Sequence, residues 1–204
     1  MRISFKRGFF LDFCPSALVG GGLLVLFNEW RVLCLMALGV FCHEIGHASV
    51  AIIQRRKIYG LRVNSCGAEL FVDERSSSYR ADVFLHLGGV FFNFLLSVSF
   101  FLLIRQEASE LLFFGFYFNV CLVLFHLLPI RELDGGRALF AALCAVFSLS
   151  RALQISELVS KLSCAGLLVC VLLFLSSTSF HLSLCVLFLF FFFGIFEKNK
   201  TPAV

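Results

Sequence analysis

Proline is nearly absent from this chain, at three in 204 residues, and only 15% of its residues are charged. Soluble domains carry about 25% charged residues, so a water-facing surface cannot be assembled from this composition. Scarce proline in so apolar a chain excludes collagen-like and disordered classes. No Cys-x-x-Cys pair occurs; the nine cysteines stand mostly singly in apolar runs, as small buried helix residues do. No basic stretch with interleaved aromatics is present, so nucleic acid is not an expected partner. What remains is hydrophobic: 60% of residues are apolar, 28 are Phe, and the mean hydropathy is +0.96. The chain therefore belongs in a lipid bilayer.

A helix crossing the hydrocarbon core needs about 20 largely apolar residues. Such runs occupy 16–27 (short), 32–53, 83–104, 111–128, 162–177 and 180–196. A seventh run, 138–149, is too short to span and follows a turn signal, so it reads as a partly buried or re-entrant helix. The expected fold is all-α integral membrane, with about six transmembrane helices. With the N-terminus inside, 15 of the 17 Lys and Arg fall on the cytoplasmic side, leaving only Arg31 and Arg105 opposite. That bias places both termini in the cytoplasm. The basic start and apolar run at the N-terminus lack a small-residue cleavage site around Leu26–Trp30, which favours an uncleaved first span anchored by Trp30.

The second run carries His43, Glu44 and His47 at its middle. A charged acid at helix centre costs about 2.5–3.5 kcal/mol on insertion scales, so it needs a reason to be there. Positions four apart differ by about 40° around a helix, so His43 and His47 share one face. Two imidazoles on adjacent turns can grip one Zn²⁺, with Glu44 beside it as general base. A polar cluster bonded to neighbouring helices is the alternative. It is weakened because three ionisable groups in one span multiply the insertion cost.

Catalytic zinc usually takes three protein ligands and a water. The chain has only four Asp, and Asp134 stands in His126-Leu-Leu-Pro129-Ile-Arg-Glu-Leu-Asp134-Gly135-Gly136, just past the fourth run. Pro129 must end or kink that helix, and Asp-Gly-Gly permits a tight turn. Irregular backbone at this depth is tolerated where it lines an enclosed or watery cavity. Asp134 is thus a candidate ligand, with an ordinary turn or helix cap as the alternative.

Together these blocks resemble the site-2 protease family of intramembrane zinc metalloproteases, and within it the stage IV sporulation protein FB type. His43-Glu44-Ile45-Gly46-His47 is similar to the family's HExxH helix. Leu127-Leu128-Pro129-Ile130 followed by Leu133-Asp134-Gly135-Gly136-Arg137 is similar to its NxxPxxxxDG block, which implies that Asp134 is the third zinc ligand. Gly88-Gly89-Val90-Phe91-Phe92-Asn93 resembles its Gly-Pro-x-x-Asn entry to the third span. The match runs from about residue 30 to 140. It departs at His126, where the family has an Asn expected to hold substrate or intermediate, and at Val90, where it has Pro. His126 could fill the same role, compete for zinc, leave the enzyme inactive, or be a core histidine.

The stretch 58–72 mixes apolar and polar residues about Gly67, suggesting a short hairpin near the cytoplasmic face. In the family a comparable strand pairs with unwound substrate; a plain surface loop is the alternative. The chain is expected to form a single polytopic domain over 1–204, and a third departure is that it lacks the C-terminal regulatory domain of some relatives. The resemblance implies a bacterial cell membrane, a membrane-tethered regulatory protein as substrate, and regulatory membrane partners. Glu44 would be catalytic, His43, His47 and Asp134 would hold Zn²⁺, and His126, Asn93 and Gly67 would contact substrate or intermediate. The rivals are a catalytically impaired pseudoprotease or metal-binding scaffold and, more remotely, a metal transporter. A transporter predicts ligands spread over several spans, whereas these cluster on one helix and one turn. His86 and His181 read as structural.

Overall fold

The computed structural model describes residues 2–4, 10–13, 22, 25–26, 28–64, 67–73 and 78–177. Most of these lie in five helices: α1 (Trp30–Ile53), α2 (Tyr79–Ile104), α3 (Glu110–His126), α4 (Asp134–Cys144) and α5 (Leu149–Ser177). Among the described residues, three segments are long and apolar enough to cross a membrane: α1, α2, and Leu149–Cys170 of α5. The 17-residue α3 is a shorter apolar helix. The 24 residues of α1 reach about 36 Å at 1.5 Å per residue, more than the hydrocarbon core requires.

The side of α1 that packs inward carries Gly39, His43, Gly46, His47 and Ala51, while Phe41, Ile52 and Ile53 stand exposed. Spacings of three and four keep the first set on one stripe. Small and polar residues thus face the protein and large apolar ones face outward, the reverse of a water-soluble helix. Gly46 meets Gly88 and Gly89 of α2 so closely that a Cβ on Gly46 would collide with the Gly88 backbone. Close backbone approach through small residues is how helices associate where water supplies no driving force.

Helix α2 is the hub, packing against α1, α3 and α4. It starts at Ser78, whose hydroxyl accepts from Ala81 N at 3.3 Å, and α3 starts at Ser109, which accepts from Leu112 N at 3.4 Å. Both are ordinary N-caps. The short link between them makes α2 and α3 antiparallel neighbours, with Phe101 and Phe116 ring centroids 5.9 Å apart. At the other end of α2, Arg56 donates to Asp82 at 2.7 Å and Gln54 donates to the Ala81 carbonyl at 2.8 Å. These contacts tie the end of α1 to the start of α2. The chain leaves α1 through Arg55 at φ 56.

The fold is mostly helical but not all-α, which corrects the expectation from sequence. Strands β1 (Arg2–Ser4), β2 (Phe10–Phe13), β3 (Ile58–Asn64) and β4 (Gly67–Val72) form one sheet in the order β1-β2-β3-β4. The β3–β4 hairpin is antiparallel and sits where a hairpin was expected. Strand β2 pairs parallel with β3, a pairing that encloses the whole of α1 and is invisible to local patterning. Arg62 of β3 donates to Asp12 of β2 at 3.1 Å, and Gly60 is required because a Cβ there would lie 2.6 Å from Phe10 O.

The run read as 138–149 is α4, which begins earlier, at Asp134. The run read as 162–177 is the second half of α5. The spans expected over 16–27 (residues 22, 25 and 26 apart) and 180–196, with His181, lie outside the described residues.

Candidate metal centre

The HExxH segment lies inside α1, so its spacing becomes geometry: His43 and His47 are 4% and 9% exposed, with Nε2 atoms 3.2 Å apart. His47 is oriented from the other side, where Nδ1–H donates to the Leu85 carbonyl of α2 at 2.8 Å. A ligating histidine is ordinarily fixed this way, with its second nitrogen bonded so that the first is left for the metal. Leu85 had no signal in the sequence, because a backbone acceptor carries no residue signature.

Asp134 reaches these histidines because the chain folds back after α3. Residues 127–133 wrap the start of α4 so tightly that a Cβ on Gly135 or Gly136 would collide with the Leu127 or Ile130 carbonyl. Ile130 is wholly buried beneath this turn. The N-cap position of α4 is Leu133, and Asp134 is its first helical residue. The carboxylate is therefore no helix cap: Oδ2 stands 2.9 Å from His43 Nε2 and 3.4 Å from His47 Nε2. Burial alone would raise the Asp134 carboxyl, but hydrogen bonds from His126, His43 and His47 outweigh it and hold the group well below the ordinary carboxylate range.

These residues fit a metal. Zinc bonds of about 2.0–2.1 Å in a tetrahedron separate neighbouring ligand atoms by about 3.3 Å. The separations here are 2.9, 3.2 and 3.4 Å, and the donor atoms of His43, His47 and Asp134 all lie within 4.8 Å of one another. Two imidazoles and a carboxylate are a donor set that catalytic zinc uses.

His126, at the last position of α3, joins the cluster. Its Nδ1–H donates to Asp134 Oδ2 at 2.7 Å, and its ring lies 4.1 Å from that of His43. Glu44 is half-buried beside His43 in the same helix. Asn93 is wholly buried in α2, one turn beyond Gly89, where a Cβ would stand 2.5 Å from His47 Nε2. Gly67 opens β4 opposite Asn64, at the tip of the hairpin. Half-buried His86 lies in α2 and takes no part in the His-His-Asp group.

Comparison with known proteins identifies the family. Residues 17–160 match the family described as peptidase M50B-like, a range that contains all three motif blocks. Stage IV sporulation protein FB of Bacillus subtilis (strain 168) is 28% identical over 192 residues, which is 91% of this chain and 65% of that protein. The chain thus spans about two-thirds of the length of that curated relative. The solved structure of the site-2 protease from Methanocaldococcus jannaschii shares the fold, with a TM-score of 0.67 and 23% identity over 100% of this chain and 97% of the other.

Proposed function

The chain belongs to the peptidase M50B-like family, and from that premise we propose that it is an intramembrane zinc metalloendopeptidase. The observation that carries this reading is the convergence of His43, His47 and Asp134 at metal-ligand separations, with both histidines on an apolar helix long enough to cross a membrane. His43, His47 and Asp134 are the residues that would hold zinc. Bound there, zinc supplies a Lewis acid and a water of lowered pKa. Glu44 takes a proton from the attacking water and returns it to the leaving amine nitrogen. Leu85 and His126 hold His47 and Asp134 in place through the 2.8 Å and 2.7 Å bonds described above.

The substrate class follows from position. A helix within a bilayer hides its carbonyls in hydrogen bonds, so it must unwind before hydrolysis. Among the described residues strand β4 is an edge of the sheet, and it packs against α1. An unwound segment can add to that edge, with Gly67 at its start. We read the substrate as a membrane-tethered regulatory protein, the site of action as a bacterial cell membrane with both termini cytoplasmic, and residues 1–204 as one polytopic catalytic domain. The similarity to a sporulation protein supports a role in that kind of programme, with regulatory membrane partners.

The test is proteolysis of single-span reporter proteins reconstituted with the enzyme in liposomes. Glu44→Gln is expected to keep its zinc and lower cleavage by at least about 100-fold, the contribution of a general base. Cleavage unchanged in that variant would sink the mechanism. A second reading, an impaired enzyme or metal-binding scaffold, is favoured by His126, whose Nδ1 is engaged by Asp134 instead of being open to substrate. It predicts zinc uptake without cleavage in the wild type, and cleavage gained on His126→Asn.

A further inference from the structure

Among the described residues, His43 Nδ1, both amide atoms of Asn93 and Asn119 Oδ1 are buried in the bundle core without a hydrogen-bond partner. Asn93 and Asn119 are each 0% exposed. Buried polar atoms are almost always satisfied by protein or by ordered water, because a bare one loses its hydration without replacement. Their places in the fold relate them. A Cβ on Gly89 would lie 2.8 Å from His43 Nδ1, so that nitrogen faces α2 at Gly89. Asn93 is one turn further along the same face of α2. A Cβ on Gly39 would lie 3.1 Å from Asn119 Oδ1, and Gly39 is one turn before His43 on α1. Both asparagines therefore stand one helical turn, about 6 Å, further from the hairpin end than the histidines.

We propose that Asn93 and Asn119 form an internal water-binding site whose water accepts from His43 Nδ1–H, making the asparagines positioning residues for that ligand. The inference rests on the metal reading above. With metal on Nε2, His43 must carry its proton on Nδ1, a donor that the protein otherwise leaves bare. His47 has the Leu85 carbonyl for the same purpose, and His43 has no backbone equivalent. The groups are complementary: Asn93 offers donors and an acceptor, Asn119 Oδ1 offers an acceptor, and a water can bridge a donor to both. The Asn119 amide nitrogen is already committed to the Gly115 carbonyl at 2.8 Å, which aims Oδ1 away from its own helix. The family resemblance would give Asn93 to substrate. Zero exposure points instead to a role beneath the site.

The test is zinc affinity by chelator competition, together with the visible spectrum of the cobalt-substituted protein, on full-length protein in detergent. Asn93→Leu, which removes the polar group and fills its space, is expected to weaken zinc about 10–100-fold and to shift the cobalt bands, as loss of an outer-shell partner does. Asn93→Ser, small enough to admit water and still polar, is expected to stay within about three-fold of wild type. Ser97→Ala is the control for packing: Ser97 is buried on the same helix but is satisfied by the Phe94 carbonyl at 2.7 Å. It should leave affinity and spectrum unchanged. Unchanged affinity and spectrum in Asn93→Leu, or equal weakening in Ser97→Ala, would overturn the inference while leaving the metal reading intact. Wild-type protein that takes up no zinc would overturn the metal reading and this inference with it.

Discussion

Helices α1 and α5 look alike in composition, with mean hydropathies of 1.5 and 1.4 over their most apolar windows, yet 28% of the first window is buried and only 6% of the second. Around α5, Leu158, Leu162, Val169 and Leu173 are all exposed, and the buried residues among those described are Ala152 and Ser156 near the start. Around α1 the outward side is equally greasy, but the inward side is Gly39, His43, Gly46 and His47. Hydropathy says that both helices belong in lipid. Small and polar residues say which helix has a protein partner, and on which side.

The contrast predicts where substitutions hurt. The largest loss of stability should come from Gly46→Ala, which puts a Cβ into the Gly88 backbone. Overpacking of this kind costs about 1–3 kcal/mol, visible as a lower melting temperature in detergent and as weaker zinc binding, since His43 and His47 ride on the same face. A smaller effect is expected from Arg56→Ala. It removes the 2.7 Å bond to Asp82 that ties α1 to α2, at about 0.5–1.5 kcal/mol. Its sharper sign is faster hydrogen exchange in the adjoining hairpin, with the helix interior unaffected. Least of all should come from Leu162→Ala on α5, a side chain 64% exposed, within about 0.5 kcal/mol and with zinc binding unchanged. A large effect there would mean that α5 is packed against something, and the contrast with α1 would dissolve.

The same contrast decides which parts of the fold are legible in the sequence. His43 and His47 were legible because charge is costly in a span and four-residue spacing is geometry. Asp134 was legible because acids are scarce and Pro129 breaks the helix before it. The start of α4 was misplaced because Gly135 and Gly136 signal a turn, whereas here they are helical residues kept small by the carbonyls of Leu127 and Ile130. The first half of α5 was missed because Arg151, Gln154, Glu157 and Lys161 interrupt its hydropathy. Strands β1 and β2 were missed outright. They are three and four residues long, and β2 finds its partner β3 only after the chain has run through α1. Non-local pairing leaves no mark on a local pattern.

The central claim is that His43, His47 and Asp134 form one zinc site. Zinc content per chain, measured on purified wild-type protein alongside Glu44→Gln, His43→Ala and Asp134→Ala, tests it most directly. The account predicts about one zinc per chain in the first two and close to none in the last two, since a catalytic site depends on each of its three protein ligands. Full zinc retention in Asp134→Ala would contradict it.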